Sequence, residues 1–131
     1  MSDYKINQEL EPVQIEVDKY RSYYYAGASG DFNPIHLDND FAIKVGLPGK
    51  ILHGLCTMAF VYRTVMKNND PDKMKKLSVR FRQVVRPSDK LTIKGKVIEK
   101  ENDTVKIGLI AENQNNEQVI TNGCAVIVVG T

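Results

Sequence analysis

A carboxylate and an imidazole lie five residues apart in the segment SGDFNPIH, which runs from Ser29 to His36. Asp31 and His36 flank Asn33 and Pro34, residue types that disfavour regular helix or strand. A histidine ordinarily titrates near neutrality and a carboxylate near pH 4, so near pH 7 one can accept a proton while the other donates. We predict that Asp31 and His36 share one water molecule as general acid and base, in either assignment of the two roles.

A second candidate is the pair His53 and Gly54, which opens the longest apolar segment, GLCTMAFVYRTVM at residues 54–66. If this segment is a helix, the Gly54 N–H at its start can stabilise negative charge, and the missing Cβ lets a ligand approach the backbone. For His53, the alternatives are assistance to the reaction, or capping or packing. Asn33 either orients Asp31 or the water, or only forms the turn before Pro34.

The elements that must position these residues can be predicted from periodicity. Alternation over residues 13–17 predicts a strand. Asp18 can cap a helix that extends to about Tyr25, with a stripe formed by Tyr20, Tyr24 and Ala28. Asp38 can cap a short helical turn that stops at Gly46. After the apolar helix, four consecutive antiparallel strands are predicted at residues 77–82, 91–97, 104–111 and 118–129.

The apolar helix must be wrapped by protein on most faces, because residues 54–66 are too few to cross a bilayer. A curled antiparallel sheet around one helix satisfies both patterns and gives the α+β hot-dog fold. We therefore predict one domain over residues 1–131, with a flexible stretch at residues 1–12. The unit leaves a sheet edge open, so we expect a homodimer or a higher multiple of dimers.

Composition sets the class of protein. The chain has 131 residues, 42% hydrophobic and 26% charged, which is typical of a soluble globular domain. It shows neither a signal peptide nor a membrane span, so we predict a cytoplasmic location. Cys56 and Cys124 lie in apolar runs and are predicted to be reduced core residues. Residues 73–96 hold nine Lys or Arg against Asp89 alone, which indicates either an anionic partner or a solvated strand face.

The spacing S-G-D-x-N-P-x-H resembles the signature of the R-specific enoyl-CoA hydratases, the MaoC-like dehydratase family. The resemblance extends to His53 and Gly54 and covers about residues 13–129. It implies a dimeric hot-dog enzyme that adds water reversibly, with syn geometry, to a trans-2-enoyl thioester and gives the (R)-3-hydroxyacyl product. Under this resemblance Asp31 and His36 are catalytic. We predict no cofactor and no metal, and we expect the thioester to be carried on coenzyme A or an acyl-carrier protein.

Two further substrate contacts are expected. The coenzyme A phosphates should meet the basic stretch, with Arg80, Arg82 and Arg86 as the leading candidates. The acyl chain should run along the apolar helix, and bulky side chains there favour short chains of about four to six carbons. The residues expected to line this acyl pocket recur at helical spacing and are Leu55, Met58, Ala59 and Tyr62. An alternative is that Met58 and Tyr62 point into a dimer core.

Other functions remain open from the residues alone. A metal site could use His36, Asp38, Asn39 and Asp40, with His53 nearby, although Asp38 and Asn39 have a simpler use as helix caps. A thioesterase would share the fold, but residues 54–66 contain no carboxylate to act as base or nucleophile. A non-catalytic acyl-binding module would not need Asp31 and His36 together. Nucleic-acid binding has no aromatic-rich or glycine-rich motif in support.

Overall fold

The computed structural model describes residues 4–67 and 70–129. Its elements follow the predicted order of strand, helix, loop, short helix, long helix and four strands. In chain order they are β1 (Val13–Glu16), α1 (Arg21–Ser29), α2 (Asn39–Lys44), α3 (Gly54–Val65), β2 (Met74–Phe81), β3 (Lys90–Lys100), β4 (Thr104–Glu112) and β5 (Gln118–Val128). Short 3₁₀ turns cover Pro34–His36 and Pro71–Lys73.

The strands form one antiparallel sheet in the order β1-β3-β4-β5-β2. Together with α3 it makes the α+β hot-dog arrangement that the sequence predicts. One pairing differs from the predicted consecutive order, in which residues 77–82 and 91–97 are hairpin partners. Strand β2 lies beside β5, with Leu77 opposite Ala125, and not beside β3. Alternation in a sequence reports which face of a strand is buried, but it does not report the neighbouring strand. Residues 82–89 therefore cross from one side of the sheet to the other.

The core lies between α3 and the inner face of the sheet. Phe60, Val61 and Val65 of α3 are buried against apolar side chains of β3, β4 and β5, among them Leu91, Ile93, Val97, Val105, Ile107, Ile120 and Ile127. Each such side chain contributes about 1.5–3 kcal/mol by leaving water. The chain wraps α3 on one side only. Leu55 is 65% exposed, and Ala59 and Arg63 share its open face, so the expectation of wrapping on most faces is not met within one chain.

Helix α1 differs from its predicted stripe. Tyr20, Tyr24 and Ala28 are exposed, whereas Ser22 and Ala26 are buried. Aromatic residues occur on several faces of this helix, so periodicity does not single out the face that packs. The Asp18 carboxylate accepts a hydrogen bond from the Tyr20 N–H at 2.7 Å, and α1 continues to Ser29, where Gly30 ends it in a left-handed conformation with φ of 80°.

Further predictions concern the cap of α2, the two cysteines, the N-terminal stretch and membrane spans. Asp38 caps α2 as predicted, because its carboxylate accepts the Phe41 N–H at 3.1 Å. Both cysteines are free thiols, Cys56 buried and Cys124 half-buried. Within the stretch predicted to be flexible, residues 7–10 hydrogen-bond to β3. Across the described ranges, every helix is too short or too polar to cross a membrane.

Candidate active site

The loop that carries Asp31 is held by three successive bonds from side chain to backbone. The Ser29 hydroxyl accepts the Asp31 N–H at 3.1 Å, and the Asp31 Oδ1 accepts the Asn33 N–H at 3.2 Å. The Asn33 Oδ1 then accepts the Ile35 N–H at 3.1 Å and starts the 3₁₀ turn at Pro34–His36. Each bond spans two residues, as in Asx and Ser/Thr turns. The Asn33 backbone N–H thus orients the Asp31 carboxylate, while the Asn33 side chain forms the turn.

His36 is buried at the end of that 3₁₀ turn, and its ring contacts one backbone group. Its Nδ1 lies 2.9 Å from the Ile51 carbonyl oxygen. A carbonyl oxygen only accepts, so the proton is on Nδ1 and the contact fixes the tautomer. In the neutral ring, Nε2 is therefore an unprotonated acceptor.

Nε2 of His36 lies 4.0 Å from Oδ2 of Asp31. That distance is too long for a direct hydrogen bond, and it suits a water that donates to both atoms. The two side chains differ in exposure, at 10% for His36 and 52% for Asp31. Asp31 therefore lies where a substrate can reach it, while His36 lies beneath it.

His53 lies against both residues. It is 2% exposed, and its Nε2 is 3.0 Å from the Asp31 main-chain oxygen, which makes Nε2–H the donor. Its ring stacks on that of His36 with centroids 3.8 Å apart and an interplanar angle of 23°. His53 precedes α3 but makes no capping hydrogen bond with its side chain. Of the two structural roles considered for it, packing is the one observed.

Among the described residues, Asp31, His36 and His53 also form a group that could hold a metal, since one ligand atom from each lies within 4.8 Å of the others. Two nitrogens on one zinc point their in-plane lone pairs at a common point about 2 Å away. Nearly parallel rings that meet face to face do not provide this geometry. Asp38 and Asn39 act elsewhere, as the α2 cap and as acceptor of the Lys50 N–H. The arrangement fits a hydrogen-bonded water better than a chelated ion.

A cleft of about 340 Å³ opens beside His36 and the start of α3. Gly54 lines it, and the hydrogen bonds to the His53 carbonyl begin only at the N–H groups of Cys56 and Thr57. Within the described ranges the Gly54 N–H, at the positive end of the helix, therefore has no partner inside the helix. A Cβ on Gly54 would lie 3.3 Å from Cζ of Phe81, whose ring closes over this point.

The arginines predicted to bind coenzyme A and the residues predicted for the acyl pocket lie mostly outside the cleft lining. Arg82 lines the cleft, whereas Arg86 donates to the Pro48 carbonyl at 3.2 Å and Arg80 is exposed on β2. In the part of the chain that the structure describes, the cleft lining does not include the four residues predicted for the acyl pocket, namely Leu55, Met58, Ala59 and Tyr62. Tyr62 lines a different cavity, of about 660 Å³, between β1 and the end of α3.

Sequence reasoning missed several groups in and around the cleft. The Ile51 carbonyl orients His36, and Tyr25 packs its ring on His53 with centroids 4.7 Å apart. Thr57, Phe81 and Val119 line the cleft. A backbone carbonyl leaves no signal in a sequence. The run of Ser29, Asp31 and Asn33 at alternate positions is a signal that could have predicted the bonded loop.

Two known proteins that are similar in sequence match about half of this chain. A peroxisomal enoyl-CoA hydratase 2 of Arabidopsis thaliana is 44% identical over 66 residues, which cover 48% of this chain and 21% of that protein. A fatty acid synthase beta subunit of Dothistroma septosporum is 42% identical over 76 residues, or 56% of this chain and 4% of that protein. The chain thus spans less than a quarter of either relative.

The fold has a solved counterpart. An unliganded R-hydratase from Pseudomonas aeruginosa superposes with a TM-score of 0.87 over 99% of this chain and 85% of that one, at 22% identity. The family model described as MaoC like domain matches residues 3–119. With nine-tenths of its length matched by that model, the chain belongs to the MaoC like domain family.

Proposed function

We propose that this chain catalyses the reversible syn hydration of a trans-2-enoyl-CoA to the (R)-3-hydroxyacyl-CoA. The observation that carries the proposal is the 4.0 Å gap between Oδ2 of Asp31 and Nε2 of His36, together with the cleft that His36 and Gly54 both line. The names of the plant hydratase and of the bacterial R-hydratase support the same reaction class.

The mechanism follows from the two acceptor atoms. When Asp31 is ionised and His36 is neutral, one water can donate its two hydrogens to them and turn a lone pair towards C3 of the substrate. As the C3–O bond forms, one member of the pair takes a proton, and the C2–C3 π electrons move into the thioester as an enolate. The pair then returns a proton to C2, so it ends in its starting state. Both new bonds form on the face that meets the pair, which gives syn addition.

The enolate oxygen requires a donor, and the Gly54 N–H supplies it. Its position in the first turn of a twelve-residue helix adds the favourable end of the helix dipole. Removing one donor of this kind typically costs about 10²- to 10³-fold in turnover. Glycine at this position lets the thioester approach the backbone closely.

The carrier is the finer part of the proposal. Arg82 on the cleft is the first candidate for a coenzyme A phosphate, and Arg80 and Arg86, which are not in the cleft lining, come after it. The match to a fatty acid synthase subunit favours a second candidate function, dehydration of a (3R)-hydroxyacyl group on an acyl-carrier protein. An acidic carrier protein could use the same arginines. The cytoplasmic location stays a prediction, since the plant relative is named peroxisomal.

The test is a spectrophotometric assay with crotonyl-CoA. Loss of the enoyl thioester absorbance, with chiral analysis showing the (R)-3-hydroxy product, is the expected result. The same assay with even-numbered chains tests the predicted preference for about four to six carbons, because each added methylene accommodated contributes about 0.8 kcal/mol. A steady rise in kcat/KM beyond eight carbons would remove that preference and leave the catalytic assignment intact.

Two control assays separate the rival functions. Release of free thiol from a saturated acyl-CoA would indicate a thioesterase, which we do not expect because α3 carries no carboxylate. Turnover should also be unchanged by a strong chelator. If no enoyl-CoA of any length is hydrated but a carrier-protein thioester is, the second candidate function replaces the first.

A further inference from the structure

We infer that His53 is the positioning residue that holds Asp31 and His36 at their working separation. The inference rests on the proposed function, since it assigns His53 a part in that reaction. His53 contacts both members of the pair from the start of α3, through a donated hydrogen bond to one and a ring stack on the other.

The first contact fixes the loop. The Ser29, Asp31 and Asn33 bonds all span two residues, so they shape residues 29–33 but do not locate them relative to the rest of the fold. The bond from His53 Nε2–H to the Asp31 carbonyl spans 22 residues. Among the described hydrogen bonds of residues 29–33, it is the one that reaches a distant element. It therefore sets how far the Asp31 carboxylate lies from α3.

The second contact fixes the ring of His36. The bond to the Ile51 carbonyl restrains Nδ1 of His36, but one bond at one atom still tolerates some tilt of the ring plane. Stacking on His53 at 3.8 Å removes this freedom and keeps Nε2 turned towards Asp31. A displacement of about 1 Å at such a site can lower turnover 10²-fold.

His53 is itself held in a way that suits function better than stability. Tyr25 packs on its ring, and the residue is 2% exposed. Because Nε2 carries the proton, Nδ1 is a bare acceptor, and it is buried with no hydrogen-bond partner in the described part of the chain. A buried acceptor without a partner costs stability. An apolar ring of similar shape would avoid that cost, which makes the histidine hard to explain by packing alone.

Two substitutions separate the contacts. His53→Gln keeps an N–H near the position of Nε2 and loses the ring, whereas His53→Phe keeps a stacking ring and loses the donor. We expect each variant to lower kcat about 10- to 100-fold with KM changed by less than about threefold, because each loses one of the two contacts. The melting temperature of His53→Phe should equal or exceed that of the parent. Ile93→Val, a core change away from the cleft, serves as the control that alters stability without altering kcat.

Hydrogen exchange gives a readout that does not depend on activity. Amides in residues 29–36 should exchange faster in His53→Phe than in the parent, and near the parent rate in His53→Gln. The inference is overturned if either variant retains parental kcat, if His53→Phe retains parental exchange, or if the loss in kcat only follows a fall in melting temperature. Should the parent hydrate no enoyl thioester, the proposed function fails, while the exchange result still decides whether His53 holds the loop.

Discussion

Asp31 has a partner or a task for each of its polar atoms. Its N–H donates to Ser29, its carbonyl accepts from His53, Oδ1 accepts from Asn33, and Oδ2 is left facing Nε2 of His36. One carboxylate oxygen is thus used to orient the other. The free oxygen and the imidazole nitrogen that faces it are what the proposed reaction uses.

Substitution of either residue should remove this function without unfolding the chain. We expect Asp31→Asn and His36→Gln each to lower kcat about 10²- to 10⁴-fold, the range of a general acid or base, with strongly non-additive effects in the double variant. Asp38→Asn, which changes a nearby acid that only caps α2, is the matched control. Steady-state assays and near-UV circular dichroism check the prediction, and near-parental turnover in either variant would contradict the shared-water mechanism at that residue.

The two cysteines should differ in reactivity. Burial raises the pKa of the Cys56 thiol above its ordinary value of 9.0, and the positive charge of Arg21 opposes part of that rise. We expect Cys56 to react with iodoacetamide at pH 8 at least about tenfold more slowly than half-buried Cys124, as followed by peptide mass spectrometry. Equal rates in the native protein would contradict the packing around Cys56.

The raised pKa of Cys56 also makes the free energy of unfolding depend on pH. Folded Cys56 binds its proton more tightly than unfolded Cys56, so its contribution to the free energy of unfolding is complete below pH 9. That contribution is lost as the pH rises through the higher folded pKa. Cys56→Ala should flatten the fall in stability over this alkaline range in denaturant titrations.

At the scale of elements, the start of α3 and the end of β2 meet at Gly54 and Phe81. We expect Gly54→Ala to lower both the melting temperature and kcat/KM, because its Cβ meets the Phe81 ring at 3.3 Å and narrows the approach to the N–H. Adding Phe81→Ala should restore the melting temperature but not kcat/KM. Recovery of both would show that the glycine serves packing alone.

The connection from β2 to β3 carries the predicted carrier contact. Arg82→Gln should raise KM for enoyl-CoA about tenfold with little change in kcat, and more so at low salt, since a charge-assisted phosphate contact is screened by ions. Arg80→Gln, a matched change on exposed β2, should have the smaller effect. Equal KM values for both variants and the parent would indicate that the basic stretch at residues 73–96 is only a solvated strand face.

Elements with a strong periodic or chemical signal could be predicted from the sequence. Helix α3 and strands β3 to β5 lie close to their predicted bounds, and the SGDFNPIH segment brings Asp31 and His36 together. The features that were mispredicted or missed depend on contacts between residues far apart in the sequence. The edge position of β2 follows from pairing with β5, the buried face of α1 follows from its packing, and the Ile51 contact uses a backbone atom.

At the scale of the whole molecule, one chain leaves apolar surface uncovered. Leu55 on α3 is 65% exposed, Phe81 is 49% exposed, and β2 is a sheet edge. We expect light scattering to give a mass twice that of the chain, or a multiple of it, because a second copy can cover these groups. Leu55→Glu should shift the protein towards the monomer, and a monomeric parent at micromolar concentration would contradict the prediction.

The bonded loop at residues 29–33 bears on whether this chemistry can be transplanted. Its three internal bonds are local, so a designer could graft the eight-residue segment onto another scaffold and keep the shape of its turns. The graft would still lack the Ile51 carbonyl and the His53 ring, which come from the segment entering α3. A working transplant therefore needs two pieces at a fixed spacing, and a scaffold should be chosen for its helix entry before its loop.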